Sequence, residues 1–189
     1  EKALFIQEVI VMKVLILTGS PHIRGTTALL ADEFCIGAEK AGHEIIRYDA
    51  AKSDIKPCIG CYHCRRNDGK CVYNDDMSQI YPHLLAADVV VFATPLYYFG
   101  MSSQLKSVID RFFSVNAALR EKPKQLLLIA ACGDRDEWAM DALTAHYHSI
   151  CRYLNWAEAG MVLAIGSYTR EDAEKSDYPK MARNLGETL

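Results

Sequence analysis

Short apolar runs rich in β-branched residues recur along this chain, each followed by a helix-patterned stretch, and that alternation leaves few folds open. Val14–Thr18 (VLILT) is apolar almost throughout and ends at Gly19, which suits a strand buried on both faces. Glu44–Tyr48 reads as a second strand, Asp88–Thr94 with its VVVFAT run as a third, Gln125–Cys132 as a fourth and Glu158–Ile165 as a fifth. Between them the pattern changes to a helical period. Thr26 or Thr27 opens a helix to about Ala41, with Leu30, Phe34, Ala38 and Ala41 on one side. Further helices are predicted over Met77–Ala86, Ser102–Val115 and Glu137–Leu154. In Ser102–Val115 the residues Leu105, Val108, Ile109, Phe112 and Phe113 recur at helical steps and form one broad apolar face. A tail helix carries Tyr178, Met181, Ala182, Leu185 and Leu189 on one stripe, with Pro179 in its first turn. Five strands alternating with helices imply an α/β fold: a doubly wound, five-stranded parallel sheet with helices on both faces.

A chain of 189 residues suits one well-cored domain, and no repeat or linker divides it. Met12 followed by Lys13 looks like a natural start, so residues 1–11 read as an N-terminal extension without assigned function and residues 12–189 as one domain. The net charge of −3 gives no basic footprint, which argues against a nucleic-acid partner. No apolar run reaches the roughly 18 residues of a membrane span. Seven cysteines without a signal sequence point to a reducing compartment, and the chain is read as cytoplasmic.

In doubly wound sheets, ligands bind beyond the carboxyl ends of the strands, where strand order reverses. Three loops follow from that rule. The first, Gly19-Ser20-Pro21-His22-Ile23-Arg24-Gly25-Thr26-Thr27, lies between a strand and a helix. Its small residues let amide N–H groups converge, its hydroxyls add donors, and the helix N-terminus contributes about 0.3–1 kcal/mol to an anion. It reads as a phosphate cradle; a plain N-cap is the competing reading. Neither a triphosphate-binding Gly-x4-Gly-Lys nor Gly-x-Gly-x-x-Gly is present. The second loop, Thr94-Pro95-Leu96-Tyr97-Tyr98-Phe99-Gly100-Met101-Ser102-Ser103, sets three aromatics at an exposed strand end. They suit the cover of a flat ring, with Gly100 allowing close backbone approach; packing onto a neighbouring subunit is compatible with this. The third, Ala131-Cys132-Gly133-Asp134, is small enough to let one end of a ring pass.

Gly19-Ser20-Pro21…Gly25-Thr26-Thr27 and Thr94–Ser102, continued by Gln104-Leu105-Lys106 and Asp110-Arg111, resemble the NADPH-dependent FMN reductases of the flavodoxin-like superfamily. The resemblance covers essentially Met12 to the C-terminus. It implies a flavodoxin-like sheet in strand order 2-1-3-4-5. It also implies an FMN phosphate held by Ser20, His22, Thr26 and Thr27. The ring would be held by Pro95, Leu96, Tyr97, Tyr98, Phe99 and Gly100, with help from Cys132 and Gly133. One departure is His22, where many members carry Arg; a histidine near neutrality would hold phosphate less well as pH rises. The resemblance further implies NAD(P)H as co-substrate, a small-molecule acceptor, and a homodimer or homotetramer.

A cysteine-rich insertion occupies residues 50–76. Cys58, Cys61, Cys64 and Cys71 form C-x2-C-x2-C-x6-C, a spacing that can wrap a [4Fe–4S] cluster and resembles ferredoxin-type runs with a longer last gap. It is also similar to the compact motif of the iron–sulfur flavoproteins of this superfamily. Zinc, a reversible disulfide and free structural thiols remain alternatives. Cys35, Cys132 and Cys151 read as small buried hydrophobes.

A bound flavin carries its own redox chemistry, so no catalytic acid, base or nucleophile is expected from the chain. The first expectation is an FMN-dependent oxidoreductase taking hydride from NAD(P)H and reducing a flavin, quinone or similar acceptor. The second is an iron–sulfur flavoprotein relaying single electrons between a ferredoxin-like protein donor, a [4Fe–4S] cluster and FMN. The third is a non-enzymatic flavodoxin-like carrier or redox-sensing module.

Overall fold

The computed structural model describes residues 10–189. The extension expected over residues 1–11 lies outside the described residues, except for Ile10 and Val11, which are exposed.

Five parallel strands form the sheet: β1 (Lys13–Thr18), β2 (Glu44–Asp49), β3 (Val89–Tyr97), β5 (Gln125–Ala131) and β6 (Ala157–Ala164). A two-residue strand, β4 (Gly100–Met101), folds back antiparallel on β3. The order is β2-β1-β3-β5-β6, so the five parallel strands follow the expected 2-1-3-4-5 sequence. The chain steps outward from β1 to β2 and then returns to the other side of β1 as β3. Strand order therefore reverses between β1 and β3, and a crevice opens beyond their carboxyl ends.

The central strands are buried on both faces because both are covered by helices. On one face Leu15, Leu17, Val90, Phe92, Leu126 and Leu128 pack under α2 (Met77–Ala86), α3 (Ser103–Asp110) and α5 (Asp141–Leu154). On the other, Val14, Ile16, Val89, Val91, Leu127 and Ile129 meet α1 (Thr26–Lys40) and α7 (Tyr178–Glu187). The period of two along each strand sorts these residues between the layers. α1 and α7 touch backbone to backbone. A Cβ on Gly37 would lie 2.0 Å from the Arg183 carbonyl oxygen, and one on Gly186 would lie 2.3 Å from that of Phe34.

The structure departs from the sequence reading at several boundaries. The helix expected over Ser102–Val115 ends at Asp110, continues as a 3₁₀ segment over Arg111–Val115, and resumes as α4 (Asn116–Glu121). The break accompanies the burial of Arg111. Phe112 enters the core, whereas Phe113, expected on the same apolar face, is exposed. The predicted Glu137–Leu154 helix is a 3₁₀ turn over Glu137–Met140 followed by α5. β3 runs three residues past Thr94 into the hairpin with β4. A short helix not anticipated, α6 (Arg170–Glu174), starts at a capping box made by Thr169 and Asp172. Among the described residues no helix is long and apolar enough to cross a membrane.

Candidate functional site

At the carboxyl end of β1 the chain turns through Ser20–Gly25 into α1. Gly19 is required there by contact rather than by backbone angle: a Cβ would fall 2.3 Å from Ser102 Oγ and 2.7 Å from Leu105 Cβ. The close approach is locked by hydrogen bonds. Gly19 N–H donates to the Ala93 carbonyl (2.8 Å), and the buried Ser102 hydroxyl donates to the Gly19 carbonyl (2.8 Å). Ser102 N–H in turn donates to Thr94 Oγ1 (2.9 Å), and Ser102 Oγ accepts from Leu105 N–H (3.3 Å) as the N-cap of α3. The first two loops are thus one connected structure.

Gly25 is the N-cap of α1, no side chain caps the helix, and its first turn contains no acidic residue. The plain N-cap reading of this loop is therefore not what the structure shows: Thr26 and Thr27 lie inside the first turn. The amides that a capping side chain would engage remain available to an anion. Ser20 Oγ accepts from His22 N–H (3.2 Å) and fixes the turn.

A cavity of about 460 Å³ opens from this turn along the strand ends. Ser20, His22, Thr26 and Thr27 line one end, Pro95, Leu96 and Tyr97 one wall, and Cys132 and Gly133 the far side. These residues, selected from three separate loops, are brought to one cavity. Tyr98, Phe99 and Gly100 are not. They form the β3–β4 hairpin, in which Tyr97 pairs with Gly100. Tyr98 (φ +46°) and Phe99 (φ +62°) occupy the left-handed region that such two-residue turns normally reserve for Asn and Gly. Tyr98 is fully exposed, and Phe99 stacks on Trp138 at 5.2 Å. Neither aromatic is among the residues that line the cavity in this structure.

The cavity has a fourth wall, from the loop after β6, that the sequence reading did not select: Ser167, Tyr168 and Arg170. Ser167 N–H donates to the Cys132 carbonyl (2.8 Å), tying this loop to the third. Tyr168 lies against Gly133, where a Cβ would meet the ring at 2.4 Å. The strand-end rule applies to β6 as it does to β5, and the Thr169…Asp172 capping pair marks the helix start that places Arg170. Burial pushes the Cys132 thiol upward, so it is a neutral apolar lining group at pH 7.

Beside the cradle, Asp49 at the end of β2 bonds the Thr18 hydroxyl and the Lys52 ammonium (3.0 Å to Lys52). Burial disfavours its charge, but Thr18, Lys52 and Arg47 outweigh that and hold the carboxyl below the usual range.

The cysteine-rich segment is built differently. Its regular structure is confined to two single 3₁₀ turns, Ala50–Lys52 and Cys64–Arg66. Its two ends are pinched together. Asp54 N–H donates to the Asp76 carboxylate (2.7 Å) and Lys56 N–H to Asp75 (3.1 Å). Arg111 closes this neck with bonds of 2.7 and 3.1 Å to Asp75 and 2.8 Å to the Lys56 carbonyl, and both charged side chains are 1% exposed. Burial disfavours the Asp75 carboxylate, but Arg111 and the Lys56 and Met77 amides outweigh that and hold its pKa low.

Beyond the neck, Cys58 and Cys61 are exposed, Cys64 and Cys71 half-buried, and all four are free thiols. Among the described residues no three His, Cys, Asp or Glu side chains gather where a metal ion could sit. The four sulfurs therefore stand apart from one another in this structure. Past the neck, the 3₁₀ turn Cys64–Arg66 is the regular structure among the described residues, and it carries one of the four sulfurs.

Comparison with known proteins gives three results. The flavodoxin-like fold family matches residues 12–189. Among curated proteins, the chain is 37% identical over 100 residues to an iron–sulfur flavoprotein of Methanocaldococcus jannaschii, covering 53% of this chain and 51% of that protein. It is 31% identical over 121 residues to an FMN-dependent NADH:quinone oxidoreductase of Methylorubrum extorquens, covering 59% of this chain and 60% of the other. The chain thus spans about half to three-fifths of the length of these relatives. Among solved structures, an NAD(P)H:quinone oxidoreductase from Methanothermobacter marburgensis superposes with a TM-score of 0.74 at 17% identity, covering 95% of this chain and 96% of that one.

Proposed function

This chain belongs to the flavodoxin-like fold family, and from that premise we propose that it binds FMN and uses it to pass reducing equivalents from NAD(P)H to a small-molecule acceptor such as a flavin or quinone. The observation that carries this reading is the uncapped N-terminus of α1 at one end of a strand-end cavity of about 460 Å³. The group fits the residues present. The phosphate would be held by the first-turn amides and the hydroxyls of Ser20, Thr26 and Thr27. The ring would lie along Pro95–Tyr97 toward Cys132, Gly133 and Tyr168. Arg170, paired on one side with Glu174 (2.7 Å), supplies cationic character to a site that holds no carboxylate among its lining residues.

When bound, FMN supplies the hydride-accepting and electron-donating chemistry. The chain's part is to anchor the phosphate and to present backbone rather than bulky side chains at Gly133. The loops after β5 and β6 meet through the Ser167–Cys132 bond, which holds the cavity open for a flat group. The relative named as an FMN-dependent NADH:quinone oxidoreductase supports the same assignment. NADPH and NADH should each be mixed with the FMN-loaded protein under exclusion of oxygen. Bleaching of the flavin band much faster than for free FMN is expected; a rate no faster than free FMN would refute the oxidoreductase reading.

A second reading adds a [4Fe–4S] cluster on Cys58, Cys61, Cys64 and Cys71, with electrons entering from a ferredoxin-like protein donor. The cysteine spacing and the iron–sulfur flavoprotein relative favour it. Iron and acid-labile sulfide in stoichiometric amounts after anaerobic purification would support it, and their absence would leave the first reading standing alone. The functional unit we propose is a homodimer or homotetramer.

A further inference from the structure

Sharing no lining residue with the strand-end cavity, two adjoining hollows lie between α5, the Arg111–Val115 turn and the cysteine loop. One, of about 590 Å³, is polar and is lined by Tyr62, Cys64, Arg65, Asp68 and Arg120 among others. The other, of about 310 Å³, is apolar and is walled by Ile109, Phe112, Ile150 and Leu154. Phe113, Asn116 and Tyr153 line both, so the two form one groove with a charged end and an apolar end. Both volumes fall in the range of small-ligand sites.

The charged end is organised. The Arg65 guanidinium lies over the Phe113 ring at 5.9 Å and that of Arg120 over the Tyr153 ring at 5.3 Å. Stacking of this kind fixes the guanidinium plane while leaving its N–H edge free to meet an oxyanion. Neither arginine is within ion-pair distance of a carboxylate among the described residues; Asp68 is the one acidic side chain lining the polar hollow, and Asp110, which lines the apolar one, is paired with Lys106 (2.6 Å). Positive charge is therefore in excess here on a chain whose net charge is −3. The rings are braced from behind: Tyr62 meets Phe113 edge-on at 6.0 Å, and Asn116 Nδ2 donates to the Tyr153 hydroxyl (3.2 Å). At the junction of the hollows Phe113 and Tyr153 are 37% and 55% exposed, leaving aromatic surface in water.

We propose that this groove is a binding site for a small amphipathic anion, with a phosphate or carboxylate head between Arg65 and Arg120 and an apolar body laid toward Ile150 and Leu154. Charge complementarity selects the head, and the adjoining apolar hollow selects the body. A concave site of this size fits a small molecule better than the flat, standard-sized patch of a protein interface. The groove shares no lining residue with the strand-end cavity and does not depend on what that cavity binds. Its occupant would lie against Cys64, so ligand binding would also control solvent access to that thiol.

The test is calorimetric titration of the full chain, loaded with FMN, using octyl phosphate below its micelle concentration. Inorganic phosphate and octyl glucoside serve as controls for head and tail alone. One octyl phosphate per chain is expected, with each control weaker by at least about tenfold, or ~1.4 kcal/mol. The double variant Arg65→Gln/Arg120→Gln, both positions being exposed, should lose a similar factor while its flavin spectrum and melting curve stay unchanged. Equal binding of octyl glucoside, or an undiminished titration with the double variant, would overturn the proposal. So would a double variant that only changes the sedimentation coefficient, which would assign the groove to a second copy of the chain.

Discussion

The strand-end cavity and the cysteine loop both offer groups that hold cofactors, yet they are built on opposite principles. The cavity takes its donors from the ends of four parallel strands whose positions are set by a buried sheet, and Gly19, Ser102 and Thr94 weld its loops together. It is shaped before any ligand arrives. The cysteine loop is fixed chiefly at its neck, by a buried Arg111–Asp75 pair, and its sulfurs lie apart beyond it. Preorganisation in the first case comes from hydrophobic burial of the strands. In the second, the core supplies the anchorage at the neck, and beyond it the loop rests on a few contacts with the Arg111–Val115 turn, such as Tyr62 and Arg65 against Phe113.

The sharpest way to break that contrast is to cut the neck. Arg111→Met leaves the Asp75 carboxylate buried without its partner, and a loss of about 3–5 kcal/mol is expected in chemical denaturation. Arg111→Lys should restore only part, because one ammonium cannot reproduce the two-pronged contact and the bond to Lys56. A variant at wild-type stability would mean that the neck is not the anchor. Gly19→Ala tests the welded loops of the cavity. A Cβ there collides with Ser102 and Leu105, so a destabilisation of about 1–3 kcal/mol and weakened FMN binding are expected together.

The pH dependence separates the regions further. Asp75 has a folded pKa below the ordinary 3.8, so its contribution is complete above that value and is lost as pH falls through the folded one. Asp75→Asn should therefore lower stability at neutral pH and flatten its acid dependence below about pH 4. Denaturation curves across that range would show it. The smallest effect is expected at the hairpin: Tyr98→Asn replaces a fully exposed residue at φ +46° by one that tolerates it, and should stabilise by about 1 kcal/mol. A loss of stability would show that the Tyr98 ring makes a contact the isolated chain lacks.

How much was legible in the sequence follows the same divide. Runs such as Val14–Thr18 and Val89–Thr94 announce strands buried on both faces, and the strand-end rule then leads to Ser20, Thr26, Pro95 and Gly133. Arg170 and Tyr168 escaped because β6 was read without its loop. Three adjacent aromatics at a strand end suggest the cover of a ring, whereas Tyr98 and Phe99 form the tip of the β3–β4 hairpin. A hairpin closing on residues other than Asn-Gly gives no local signal of its turn. The helix break at Arg111 depends on Asp75, 36 residues away, a pairing that no periodicity within Ser102–Val115 could reveal. The cysteine spacing states which thiols can meet and not what brings them together, so the four-cysteine run leaves the placement of its sulfurs open.

The central claim is that the uncapped start of α1 is built to hold a phosphate, and comparing FMN with riboflavin on the flavin-free chain tests it most directly. The two ligands share the ring and differ at the phosphate. FMN is expected to bind tighter by about a hundredfold, or ~2.8 kcal/mol, with most of the gap lost in Thr26→Val/Thr27→Val. Equal affinities for the two flavins would contradict it.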